Sequence, residues 1–153
     1  MAHLPVLIFF NLNKHTIKKV LTLDFIPVNT DFGLLLLRVW LGFGLFVKHG
    51  IEKFSNFSKW KDHFPDLIHV GSTPSLTFAL TADGICSLLI IFGLGTRFAA
   101  LFVSINLFIV FLIMHQFSFG QEHAELVYIY FGGFLALATA GGGKYSLERK
   151  LLY

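Results

Sequence analysis

The sequence predicts an all-α protein: a four-helix transmembrane bundle over residues 32–153, preceded by an N-terminal segment, 1–31, with a short interfacial amphipathic helix. Three observations lead there. Hydrophobic residues make up 55% of the 153 and charged residues only 14%, against about 25% charged in a soluble domain, so much of the surface faces something other than water. Four apolar runs each reach the roughly 20 helical residues that cross a bilayer. The basic residues flank those runs, as membrane topology demands, and form no stripe, which sets nucleic-acid binding aside despite a net charge of +3.

Within residues 1–31, "MAHLPVLIFFNLNKH" lacks the basic start and small-residue cleavage site of a secretory signal. In "KHTIKKVLTLDF", Ile17, Val20 and Leu21 share a helical face flanked by Lys14 and Lys18, a pattern suited to lying on an anionic lipid surface. The first span is expected over 33–53. The second, 75–95, is bracketed by "GSTP" and "GLGT". The third, 97–117, contains the uncharged "FAALFVSINLFIVFLIM". The fourth, 122–141, ends at "GGG", a natural helix terminator. The first connection, "SNFSKWKDHFPDLIHVGSTP", mixes polar and aromatic residues and is expected to rest on the membrane interface.

Four spans put both termini and the turn before Arg97 on one side, with Lys14, Lys18, Lys19, Arg97, Lys144, Arg149 and Lys150. The other side holds Lys53, Lys59 and Lys61, offset by Asp62 and Asp66. The positive-inside rule then places both termini in the cytoplasm, in a bacterial plasma membrane. The single cysteine, Cys86, excludes an intrachain disulfide and the dithiol chemistry that needs one. Packing is its expected role.

Polar residues inside apolar runs carry the functional information, because a charge at mid-bilayer costs at least about 2.5 kcal/mol and is kept only where it faces protein or water. At about 100° per residue, Arg38, Gly42, Leu45, His49, Glu52 and Lys53 fall within one arc of the first span. Gly42 there allows a neighbouring helix to approach closely. Asp83 is the only charge of the second span and needs a partner, with Lys53 or Arg38 as candidates. On the third span His115 and Asn106 lie half a turn out of phase, so both cannot face one site; His115 is taken as the site residue and Asn106 as an interhelical hydrogen-bonding residue. On the fourth, Glu122, Glu125, Tyr128, Gly132, Ala136 and Thr139 form a stripe whose small residues are expected to pack against the bundle. The bland explanations are snorkelling for Lys48, an ion pair for Asp83, and the helix dipole for Glu122 and Glu125. The functional one brings His49, Glu52, Lys53, Asp83, His115, Glu125 and Tyr128 to one depth, in the outer half of the bundle.

"RVWLGFGLFVKHGIEKF", "ADGICSLLIIFGLGTRFAAL", "MHQF", "EHAELVYIY" and "GGGKYSLER", in that order, resemble the DoxX family over roughly residues 32–149. The resemblance implies a four-helix integral membrane protein tied to membrane redox chemistry, in subunits of thiosulfate–quinone oxidoreductase, quinol-oxidase and oxidative-stress complexes. The acidic residue of the second span is commonly Glu in that family and is the shorter Asp83 here.

Three function classes follow. In a quinone or quinol pocket, His49 or His115 donates and accepts hydrogen bonds, Asp83 or Glu125 relays protons, and Arg38, Glu52, Lys53 and Tyr128 complete the ligand contacts. In a haem or metal site, His49 and His115 are the ligands, alone or with Glu52 and Glu125, although the ExxH pairs of di-iron bundles are missing. The third class is a non-enzymatic scaffold or small-solute carrier. No electron carrier is visible in the sequence, so the redox reading requires partner subunits; membrane lipid and a homo-oligomer are the other expected partners.

Overall fold

The computed structural model describes residues 14–23 and 26–152; the signal-peptide question, which concerns residues 1–13, lies outside them. Seven helices occur among the described residues: α1 Lys14–Leu21, α2 Thr30–Ser55, α3 Phe57–Trp60, α4 Ser72–Phe92, α5 Thr96–Met114, α6 Ala124–Ala140 and α7 Leu147–Leu152. Helices α2, α4 and α5 are long and apolar enough to cross a membrane, and α6 is a shorter apolar helix. These are the lengths and compositions of a multi-pass membrane protein.

The helix ends follow local chemistry. Asn29 caps α2, its side chain accepting the Phe32 N–H at 3.0 Å. Helix α4 stops at Gly93, which takes the left-handed conformation (φ 73°) that a residue without Cβ adopts freely. Helix α6 stops at Gly141, the first residue of the triple glycine. A helix covers each expected span, with ends shifted by up to three residues, and the fourth is the shorter apolar one.

Contacts at both ends show consecutive long helices running antiparallel. Near the termini, Arg38 of α2 meets the last carbonyls of α4, and Arg97 Nε of α5 donates to Ala138 O of α6 at 3.0 Å. At the opposite end, Lys53 of α2 and Asn106 of α5 both reach Asp83 of α4. Between them lies an apolar core that includes Leu41, Leu45, Ile90, Val103, Phe134 and Leu137. Cys86 is buried in it, as a packing residue.

Two helices contain a wide π turn, over Phe46–Gly50 in α2 and Thr81–Cys86 in α4. The Ile51 N–H reaches back five residues to Phe46 O. The two turns pack on each other at Gly50: a Cβ there would stand 2.6 Å from the Asp83 carbonyl oxygen, so only glycine allows this approach. Gly42 makes a second close approach, to Ile91 and Ser87 of α4, as its place on the arc predicts.

Helix α6 is rotated relative to the sequence expectation. Gly132, Ala136 and Thr139 are exposed, and so are Glu125 and Tyr128. The inward face is instead Ala124, Phe134 and Leu137, with Val127, Tyr130 and Phe131 half-buried. The reason is steric. The recess beside α6 is made by small residues of α5, Ala99 and Ala100, which share a cluster with Phe134 and Leu137, so the bulky face of α6 fills it.

Candidate functional site

Asp83 is 4% exposed, on the π turn of α4. Its Oδ2 lies 2.7 Å from Lys53 Nζ, and its Oδ1 accepts from Asn106 Nδ2 at 3.3 Å. Both oxygens of a carboxylate otherwise surrounded by apolar residues are therefore engaged, which is the condition for keeping it charged away from water. The partner is Lys53, one of the two candidates; the other, Arg38, is at the far end of α2.

Arg38 is buried there for a different purpose. Its guanidinium donates to Ile91 O at 3.1 Å, Ile90 O at 3.5 Å and Tyr145 O at 2.6 Å. Two of those carbonyls close α4, where a helix lacks internal donors and favours a cation. Glu148 does the complementary job, its Oε2 accepting the Thr96 N–H at the start of α5. Arg38 thus fastens the α4–α5 turn and the 145–148 segment, and is not in the candidate site.

Around the Lys53–Asp83–Asn106 cluster opens a cavity of about 310 Å³. Its polar floor adds His49 and, at the exposed rim, Glu52. Helices α4 and α5 contribute Phe78, Ala79, Ile109, Val110 and Met114 to its walls. The connection after α3 does not simply rest on the interface: Phe64, Pro65, Leu67 and Ile68, with Trp60 of α3, wall the cavity too.

Asp66 holds that connection in shape. It accepts the Val70 and Gly71 N–H groups at 3.0 and 2.7 Å and the Ser75 hydroxyl at 2.8 Å. The Ser75 hydrogen bond first, then the two backbone donors and His69, hold its carboxyl below the usual carboxylate range. Ser72 Oγ to Phe64 O and Thr73 Oγ1 to Lys61 O, each 2.8 Å, complete the tie.

Of the residues singled out from sequence, His49, Glu52, Lys53 and Asp83 come together. His115, Glu125 and Tyr128 do not line this cavity. His115 is buried at the α5–α6 turn, its Nδ1 3.3 Å from Gln121 Oε1 and its ring beside Phe111. Tyr128 packs on Phe111 and Phe119 in the same aromatic cluster, and Glu125 faces outward. The half-turn phase difference on α5 is real, but it resolves the other way: Asn106 faces the site, in the interhelical hydrogen bond expected of it, and His115 faces away. Asn106 had a signal in the sequence, as an amide in the middle of an apolar span. The aromatic roof had none, because loop residues far from a site in sequence carry no periodicity.

His49 has no hydrogen-bond partner among the described residues, although its ring lies at the cavity floor. A half-buried imidazole without a partner can donate or accept towards whatever enters. Together with mainly apolar walls and a volume at the lower end of small-molecule sites, this suits a flat, hydrophobic molecule with a polar oxygen. His115 is not among the residues that line either space beside His49, and no group of three or more His, Cys, Asp or Glu side chains converges among the described residues.

The family model for DoxX matches residues 33–116, a stretch containing α2 from its first turns, α4, α5 and every residue of the Lys53–Asp83–Asn106 cluster. No curated protein and no solved structure matches the chain.

Proposed function

Because the chain belongs to the DoxX family, we propose that it is a redox-associated membrane subunit that binds a quinone, a quinol or a similar hydrophobic ligand. The observation that carries this reading is the unpartnered His49 beside the Lys53–Asp83–Asn106 cluster on the floor of an otherwise apolar cavity. His49 and the remaining ammonium protons of Lys53 hold a ligand oxygen. Phe78, Ile109, Val110 and Met114 flank its ring, and Trp60 and Phe64 cover it. Asp83 pairs with Lys53 and positions it, and Asn106 fixes Asp83. A quinone or quinol bound there would supply electron and proton exchange, with the electrons passing to or from a partner subunit.

The surrounding arrangement in this reading is a four-helix transmembrane bundle in a bacterial plasma membrane, both termini cytoplasmic and the cavity in the outer half. Helix α1 lies on the lipid surface through its Lys-flanked apolar face. The outward small residues of α6 suit contact with a partner subunit or a second copy.

The test is direct. Protein purified in mild detergent is extracted for quinones, and decyl-benzoquinone is titrated against Trp60 fluorescence in a Trp40→Phe background. Saturable quenching is expected, and His49→Ala should weaken binding about tenfold, the effect of losing one hydrogen bond worth about 1.4 kcal/mol. Absence of both extracted quinone and quenching would favour a scaffold or carrier. A Soret band or stoichiometric metal in the same preparation would favour haem or metal.

A further inference from the structure

The Lys53–Asp83–Asn106 cluster has a second open side. A smaller chamber of about 170 Å³ shares five wall residues with the large cavity: His49, Lys53, Asp83, Asn106 and Val110. Its other walls include Lys48, His123, Val127 and Tyr130. Lys48 and His123 are exposed, so the chamber reaches the exterior between α2 and the start of α6. The ion pair thus borders both spaces.

The two spaces share their polar wall and differ in the rest of their lining. The large cavity is mostly apolar beyond its floor. The small one sets two ammonium groups, a carboxylate, an amide, two imidazoles and a phenol among apolar side chains such as Leu45, Leu107 and Val127, around a volume with room for several waters. Water occupies a protein cavity when the volume suffices and each molecule finds two to four polar partners; the volume suffices here, and Lys53, Asp83, Asn106 and His49 are the partners on offer. Ionisable groups within a membrane protein characteristically face such water.

We propose that the small chamber is a water-filled passage giving the Lys53–Asp83 pair and His49 proton access that a ligand in the large cavity does not block. His49 walls both spaces, so its imidazole takes a proton from one side and releases one to the other, ending in the protonation state in which it began. Asp83, facing Lys53 and His49 from α2 and Asn106 from α5, stays in its ion pair and holds the ammonium that steadies this exchange. The proposal gives the ligand site of the preceding section its proton route, and its use in catalysis rests on that reading; the hydration of the chamber stands separately.

The experiment is cysteine accessibility on the full chain in liposomes, with methanethiosulfonate ethylammonium as probe and decyl-benzoquinone as occupant. Val127→Cys reports the small chamber, Ala79→Cys the large cavity, and Leu112→Cys an exposed apolar position lining neither. Wild type, whose Cys86 is buried, is the blank. Val127→Cys should react about tenfold faster than Leu112→Cys, since the reagent needs a hydrated thiolate, and quinone should leave that rate unchanged while protecting Ala79→Cys. Reaction of Val127→Cys no faster than Leu112→Cys would mean a dry chamber and overturn the proposal. So would protection of Val127→Cys by quinone, because the two spaces would then be one. Fast Val127→Cys with unprotected Ala79→Cys would leave the passage standing and remove the quinone reading. If Val127→Cys does not fold, Leu126→Cys on the same wall takes its place.

Discussion

Asp83 sits in a helix with no other charged residue, and what keeps it there is a lysine thirty positions away and an amide on a third helix. Removing one partner of such a pair strands the other. Asp83→Asn should therefore lower unfolding stability by about 3 kcal/mol, read as a loss of thermal midpoint in detergent. Lys53→Met combined with Asp83→Leu should recover part of that loss, because neither charge remains buried, while leaving Asn106 unpaired and quinone binding impaired. Arg38→Met tests a different kind of buried cation. It deprives the end of α4 and Tyr145 O of a charged donor, at a cost of about 2–3 kcal/mol, and should leave quinone binding by the folded fraction unchanged. Lys53 was legible as Asp83's partner because a lone carboxylate in an apolar run demands one. The sequence did not separate Lys53 from Arg38, since the ideal helical wheel puts both on one arc.

Arg38 and Lys53 do both contact α4, so position along α2 separates them, while the π turns adjust phase. Each widens the helix locally, so residues beyond it change phase relative to residues before it. Arg38 precedes the turn of α2, and His49 and Lys53 lie within and beyond it. Placing Gly50 against the Asp83 carbonyl also ties the two turns together, so Gly50→Ala should displace Asp83 from Lys53 and weaken both stability and ligand binding, checked by the same melting and fluorescence measurements. The connection between α3 and α4 has its own test. The folded pKa of Asp66 is depressed, so its contribution is fully present above the ordinary carboxylate pKa and disappears as pH falls through the lower folded value. Trp60 fluorescence in the Trp40→Phe background should report loosening of the roof in that acidic window. Asp66→Asn should show the loosened signal already at neutral pH and abolish the transition.

The whole molecule divides its polar groups between two ends. Near the termini, Arg38, Glu148 and Arg97 bind helix ends and loops to one another, and the Lys144–Asp31 pair at 3.7 Å adds a surface contact. At the other end, Lys53, Asp83, Asn106 and His49 surround open space. The terminal end also carries a recess, of about 640 Å³ beside Asp31, Ser146 and Glu148, but Arg38 is engaged there by backbone carbonyls. Lys53, Asp83 and His49 instead border open space, which is why the candidate site is placed at their end. In the proposed orientation, protease-sensitive tags on both termini should be cut only when the cytoplasmic face is accessible, and a tag inserted after Asp62 should be cut only from the opposite face.

Composition and run length alone determined that this chain is helical, apolar and multi-pass, because transfer from water depends on residue type and hardly on partners. The need for a partner to Asp83 was equally fixed, by the desolvation of a single charge. Which face of α6 turns inward, which of Asn106 and His115 meets the site, and which loop roofs it were decided only when the helices packed. Those outcomes depend on the volume of side chains from other helices and on the hydrogen bonds that Asp66 makes within the loop, neither of which leaves a period in the sequence.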